Sequence, residues 1–184
     1  FVPRARRELA YIDEDVELAA SGDHPRYLME PSPFGRLVQL AAPRPGDVIL
    51  DVGCATGYSS AVLSHLASSV VALESDALLA DAASETLSRL GYDNVAVVTG
   101  PLEAGWPQEA PYDVILVGGA VDFVPDALLD QLREGGRLVA VIGEGGAGFA
   151  WLYLKSAGVV TRRRAFNAAI RPLPGFIRKA EFAF

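Results

Sequence analysis

Five short apolar runs punctuate the middle of the chain, at 48–52, 70–74, 95–98, 114–117 and 138–142, and what lies between them limits what the chain can fold into. Each run is too short for a helix, is rich in β-branched residues and is apolar throughout or nearly so. That is the pattern of a strand buried on both faces. Helical spacing fills three of the intervals. Helices are expected over 58–67, over 76–90 with Asp76 as the cap, and over 125–132, the last stopped by Gly135 and Gly136. Strands alternating with helices imply a mostly parallel sheet covered on both sides, the Rossmann-like, doubly wound α/β class. After Gly143 the pattern changes. The stretches 149–154 and 159–170 read as strands with no helix between them, so an antiparallel C-terminal edge completes an expected seven-stranded sheet.

Upstream, Leu9, Ile12, Val16 and Ala19 are three or four residues apart, which predicts N-terminal amphipathic helices over 4–20. The stretch 27–33 reads as irregular because Pro31 and Pro33 disfavour helix around them. Helix resumes over 34–42 and stops at Pro43-Arg44-Pro45-Gly46. No repeat or linker divides the 184 residues. A single domain over 1–184 is therefore expected, with a helical cap and acceptor segment in 1–42, a core in 43–143 and strands in 144–184.

Composition narrows the function classes. A net charge of −7 argues against a surface built to neutralise phosphates, so nucleic acid is not expected as a partner. One cysteine, Cys54, excludes an internal disulfide and suits a reducing, cytoplasmic setting. No apolar run approaches the ~20 residues of a spanning helix, so no membrane association is expected. No group of His, Cys and carboxylates has metal-ligand spacing, and no metal is expected.

In an open α/β sheet the ligand lies beyond the C-terminal ends of the strands, where the first strand feeds its helix. That turn is Asp51-Val52-Gly53-Cys54-Ala55-Thr56-Gly57. A phosphate-binding Walker loop would end in Gly-Lys-Ser/Thr, which is absent. A dinucleotide turn would read G-x-G-x-x-G, whereas Ala55 and Ser60 stand at two of its glycine places. The remaining pattern, acidic-x-Gly-x-x-x-Gly, suits S-adenosylmethionine. This compound has no phosphate to cradle, but it carries an ammonium and a sulfonium that Asp51 would favour. Glu74, at the end of the second run, would accept the two ribose hydroxyls. NAD remains the chief competing ligand, and a structural turn with solvated Asp51 and Glu74 is the plain alternative.

Longer stretches of the chain resemble a known family. Asp51 to Tyr58 (DVGCATGY), Arg89 to Val95 (RLGYDNV), Gly105-Trp106-Pro107, Ala110 to Ile115 (APYDVI) and Leu132 to Leu138 (LREGGRL) are together similar to protein-L-isoaspartate O-methyltransferases. The likeness runs from about Phe34 to Gly143 and continues weakly to Ile170-Arg171-Pro172-Leu173. It implies a Rossmann-like methyltransferase that uses S-adenosylmethionine to methylate the carboxylate of isoaspartyl residues in damaged protein. The cofactor-binding residues it implies are Asp51, Gly53, Cys54, Ala55, Thr56, Gly57, Tyr58, Glu74, Ser75, Gly100, Pro101, Leu102 and Gly118. The acceptor segment would be Tyr27, Met29, Glu30 and Ser32.

Two places depart from the family pattern. Tyr27-Leu28-Met29-Glu30-Pro31 stands where a Thr-Ile-Ser-like segment usually lies, so Met29 replaces a serine. Gly100-Pro101-Leu102-Glu103 stands where Gly-Asp is usual, with Glu103 as a candidate substitute for the acid. The first departure opens a second reading: methyl transfer to another protein or small-molecule acceptor, with Glu30 or His24 as a base. A third reading is a cofactor-binding protein without turnover. His65, Trp106 and Trp151 read as packing or surface residues, and Arg162-Arg163-Arg164 as a charged edge that discourages strand pairing. Phe176, Phe182 and Phe184 read as cover for the core or for a second subunit.

Overall fold

A computed structural model describes residues 1–21, 24–144 and 147–176; Phe182 and Phe184 lie outside the described residues. The five apolar runs form parallel strands β3 (Val48–Val52), β4 (Ser69–Glu74), β5 (Val95–Thr99), β6 (Tyr112–Val121) and β7 (Leu132–Glu144). β8 (Ala147–Ser156) and β9 (Val159–Ala168) add the antiparallel edge, and the seven strands lie in the order β5-β4-β3-β6-β7-β8-β9. The order reverses between β3 and β6, where the connection switches from one side of β3 to the other. A ligand crevice opens at such a point.

Helices cover both faces. α1 (Pro31–Ala41) lays Phe34, Leu37 and Ala41 on Ile49, Val114, Leu116 and Val139. On the other face, Leu128 of α4 (Asp126–Asp130), Leu102 and Phe176 meet Leu50, Ile115 and Leu138. α2 (Tyr58–Ser64) and α3 (Ala77–Leu90) pack through Ala61, Ala83 and Leu87, and the Asp76 carboxylate caps α3 by accepting from the Leu78 and Leu79 amides. Arg137 of β7 closes the C-terminus of α1. Its guanidinium donates to the Ala41 and Ala42 carbonyls and, at 2.8 Å, to Asp47. These carbonyls have no partner inside the helix, and a cation is favourable there.

The N-terminal region differs from expectation. In place of amphipathic helices over 4–20 there is one 3-10 helix, Arg4–Leu9, followed by strand β1 (Val16–Leu18). The residues Val16-Glu17-Leu18 alternate buried and exposed, so period two wins over the helical spacing. The preceding acids serve as acceptors: Asp15 takes the Glu30 amide at 3.1 Å and Asp13 the Ser32 amide at 2.8 Å.

Nor is 27–33 irregular. β2 (Arg26–Leu28) pairs antiparallel with β1, and α1 begins at Pro31. Both prolines sit in the first helical turn, where no N–H is needed. Gly135 and Gly136 do not end a helix, since α4 stops at Asp130 and the glycines lie within β7. There they fill a register shift between the pairs Tyr112–Leu132 and Val114–Arg137.

Candidate cofactor crevice and acceptor segment

The turn between β3 and α2 has the form its glycines predicted, for partly different reasons. Gly57 has φ +88°, and a Cβ there would lie 2.9 Å from Leu87 Cδ1 and 3.3 Å from Ala83 Cβ. The close neighbour is therefore α3, not the strand. Gly53 has φ +84°, and its missing side chain is replaced by Leu173, whose Cδ2 would stand 2.8 Å from a Cβ. Each position admits only glycine without strain.

Asp51 is fully buried. Its Oδ2 accepts from Ser59 Oγ and Ser60 Oγ, both at 2.6 Å, while Oδ1 is buried with no partner among the described residues. Burial pushes the carboxyl up to about 6, opposed by the two serines and reinforced by the Glu74 charge. A solvated structural aspartate is thereby excluded. A buried carboxylate with one idle oxygen is the chemistry that would receive an ammonium.

Glu74 ends β4 and is also fully buried. Oε1 accepts from the Ser75 amide at 2.7 Å and the Asp76 amide at 3.0 Å, and Oε2 from the Ala55 amide at 2.8 Å. Both oxygens also receive Arg26 of β2, Nη1 on Oε1 and Nη2 on Oε2. A carboxylate has about four acceptor sites, so Glu74 is saturated.

Beside the turn the structure brings Tyr27 and Met29 of the acceptor segment together with Gly53, Cys54, Ala55 and Gly118 on one cleft, which neither Asp51 nor Glu74 lines. Tyr58 lines it too, and burial pushes the Cys54 thiol well up, so Cys54 packs and does not react. The cleft's open volume is about 20 Å³, room for about one water, against roughly 300–1,000 Å³ for a typical small-molecule site. The residue types fit S-adenosylmethionine, but the space around them is taken by Arg26 and the β1–β2 hairpin.

Other expected residues lie elsewhere. Glu30 precedes α1 and faces the acidic run, where burial and then Asp15, Asp13 and Glu14 raise its carboxyl. Ser32 is exposed beside Asp13, and Thr56 Oγ1 donates to the Phe1 carbonyl at 2.9 Å. His24 and Ser75 share a second, shallow cavity with Ser21, Arg26 and Asp76. Gly100 abuts Trp106, Leu102 is in the core, Pro101 is exposed, and Glu103 lies against Gly175; none of the four lines the cleft. Arg26, Ser59, Ser60 and Leu173 are the site residues that sequence reasoning missed. For the serines a signal existed: two hydroxyls one turn into the helix that follows a buried acid. For Arg26 there was none. No group of His, Cys, Asp and Glu suited to a metal occurs among the described residues, and none of the described helices is long and apolar enough to cross a membrane.

Comparison with known proteins gives the same direction throughout. A protein-L-isoaspartate O-methyltransferase of Methanopyrus kandleri is 36% identical over 180 residues, covering 95% of this chain and 78% of that protein. A solved structure of the same description superposes with a TM-score of 0.82 at 26% identity, over 92% of this chain and 56% of the other. A Plasmodium falciparum homologue, a putative protein-L-isoaspartate O-methyltransferase solved with S-adenosyl-L-homocysteine, shares the fold with a TM-score of 0.74 at 22% identity, over 92% of this chain and 84% of its own. The profile of this S-adenosylmethionine-dependent enzyme family matches residues 1–173. With the family profile and a relative of 36% identity both spanning nearly the whole chain, and the acidic turn at the end of β3, the chain belongs to the protein-L-isoaspartate(D-aspartate) O-methyltransferase family.

Proposed function

We propose that the chain transfers a methyl group from S-adenosylmethionine to the carboxylate of an isoaspartyl residue in damaged protein, in the cytoplasm. The observation that carries this reading is the family match over 1–173 together with the buried Asp51, whose Oδ1 has no partner among the described residues. When bound, the cofactor supplies a methyl on a sulfonium, whose carbon–sulfur bond breaks as an acceptor oxygen bonds to the carbon. The chain's part is to bind and align. Asp51 Oδ1 would hold the ammonium and Glu74 the ribose hydroxyls. A carboxylate acceptor is already anionic at neutral pH, so no base is required, and alignment with exclusion of water supplies the rate. Tyr27 and Met29 border that space, beside two guanidiniums: Arg26, paired with Glu74, and Arg171, 4.9 Å from the Tyr27 ring and paired with Asp15 at 3.1 Å.

A second reading, methyl transfer to a neutral or cationic acceptor, has one observation in its favour. Glu30 shares its surroundings with Asp13, Glu14 and Asp15, whose charges raise its carboxyl and would repel an anionic acceptor. Methyl incorporation from labelled cofactor into an isoaspartyl peptide, with the aspartyl peptide as control, separates the two. Label on the isoaspartyl peptide alone supports the first reading; no label on either, with label on a neutral or basic acceptor, supports the second.

A further inference from the structure

The fork-to-fork contact of Arg26 with Glu74 places a cation of this chain where the cofactor's ribose would bind. We propose that Arg26 is an internal competitor for the ribose-binding carboxylate, and that the β1–β2 hairpin is a latch which must leave the crevice before S-adenosylmethionine enters. The inference rests on the cofactor reading above.

Among the contacts that hold this N-terminal region in place, three lie at the end of β4 and the cofactor turn, and Arg171 adds an ion pair to Asp15 at 3.1 Å and a guanidinium 4.9 Å from the Tyr27 ring. Arg26 occupies Glu74; Ser21 donates its amide and hydroxyl to Asp76 Oδ2 at 2.6 and 2.7 Å; and Thr56 Oγ1 donates to the Phe1 carbonyl. Glu74 and Asp76 flank the end of β4 and accept from Arg26 of β2 and Ser21 of the β1–β2 connection, while Thr56 of the β3–α2 turn donates to Phe1 ahead of the hairpin, so the hairpin covers the expected ribose position and the N-terminus the turn. With Arg26 in place Glu74 has no acceptor capacity left, and the adjoining cleft has about 20 Å³, room for about one water. Closed hairpin and a ribose bound at Glu74 therefore exclude each other.

The hairpin is built to be displaced. β1 and β2 have three residues each and pair only with one another, forming a separate two-stranded sheet. Such a ribbon has little stability of its own. Its apolar footing on the rest of the domain is Val16, Leu18 and Leu28 against Ala55, Leu79 and Tyr58, with Phe1, Val2 and Leu9 of the N-terminus packed beside them. The seven-stranded sheet remains intact when it leaves. A ligand that binds only the open form has its affinity reduced by the fraction of molecules that are open.

The test is isothermal titration of the full chain with S-adenosyl-L-homocysteine, comparing the wild type with Arg26→Gln and Arg26→Lys. Folding of each is checked by its thermal transition. Amide hydrogen exchange of Val16–Leu18 and Arg26–Leu28 in the wild type, with and without the ligand, is the companion measurement. Arg26→Gln is expected to bind at least about 10-fold tighter than the wild type, because the closed form loses its bidentate anchor, with Arg26→Lys in between. Ligand is expected to speed exchange in both strands. Equal or weaker binding by a folded Arg26→Gln overturns the latch and leaves the cofactor reading standing. Absence of binding to either folded protein overturns both. If Arg26→Gln does not fold, the wild-type exchange decides: faster exchange with ligand supports the latch, and unchanged or slower exchange overturns it.

Discussion

Arg26 and Glu74 lie 48 positions apart in sequence and meet as a paired guanidinium and carboxylate with side-chain exposures of 4% and 0%. A pair so far out of water is costly to break from one side. Arg26→Ala is expected to lower stability by about 3–5 kcal/mol, because Glu74 keeps its charge without its main partner. Replacing both residues by Met should recover little of the loss, because the Ser75, Asp76 and Ala55 amides lose the acceptor that Glu74 gives them. Urea unfolding of the two single variants and the double variant gives the coupling directly.

Asp51 sets a pH dependence with a definite sign. Its folded carboxyl titrates at about 6 against an ordinary 3.8, so between those values the folded chain binds more protons than the unfolded one. Stability from this group is therefore highest below the ordinary value and falls as pH rises to about 6, by up to roughly 3 kcal/mol. Asp51→Asn is expected to remove that fall. Urea midpoints at pH 4, 5, 6 and 7 should show the wild type losing ground to the variant across this window and running parallel to it above.

The same group predicts the pH profile of binding. A cationic ligand on Asp51 Oδ1 requires the carboxylate, so affinity for S-adenosyl-L-homocysteine should rise about tenfold per pH unit below about 6 and level off above it. Titrations at pH 5 and 7 check this, and a flat profile would assign the idle oxygen no part in binding.

Gly57 is expected to be intolerant of any side chain. Gly57→Ala combines φ +88° with a Cβ 2.9 Å from Leu87 Cδ1, which should cost about 1–3 kcal/mol. Gly46→Ala, with nothing within 4 Å of its Cβ and no positive φ, is the control and should be nearly silent. Thermal or chemical unfolding measures both.

Met29→Ser tests the acceptor segment. The thioether lines the cleft beside Gly118, so the shorter hydroxyl opens space there. Methyl incorporation into an isoaspartyl peptide is expected to rise. A sharp fall would show that Met29 itself shapes the acceptor site.

The parallel core was legible because each of its strands announces itself locally: Val48–Val52 and Ser69–Glu74 are apolar runs that no helix of such length could use. Asp51, Gly53, Gly57 and Glu74 could be found for the same reason, since each marks the end of a strand or a turn. The hairpin was not. Val16 belongs equally to a spacing of two with Leu18 and, with Leu9, Ile12 and Ala19, to a spacing of three or four, and only pairing with Arg26–Leu28 decides between them. Arg26 itself has no local signature. Its role depends on a carboxylate that arrives from the far side of the β3–α2 unit, and a sequence read in windows has no access to that meeting.

Leu173 fills the space that Gly53 leaves, presses on Gly119, and is tied to β6 when its amide donates to the Ala120 carbonyl at 2.9 Å. During synthesis the Asp51–Gly57 bend thus emerges long before the residue that wedges it. A nascent chain halted ahead of Leu173 would carry the strands β3 to β9 with that bend unsupported. Ribosome-stalled chains of increasing length should therefore acquire protease resistance around the bend only after Leu173 has cleared the exit tunnel.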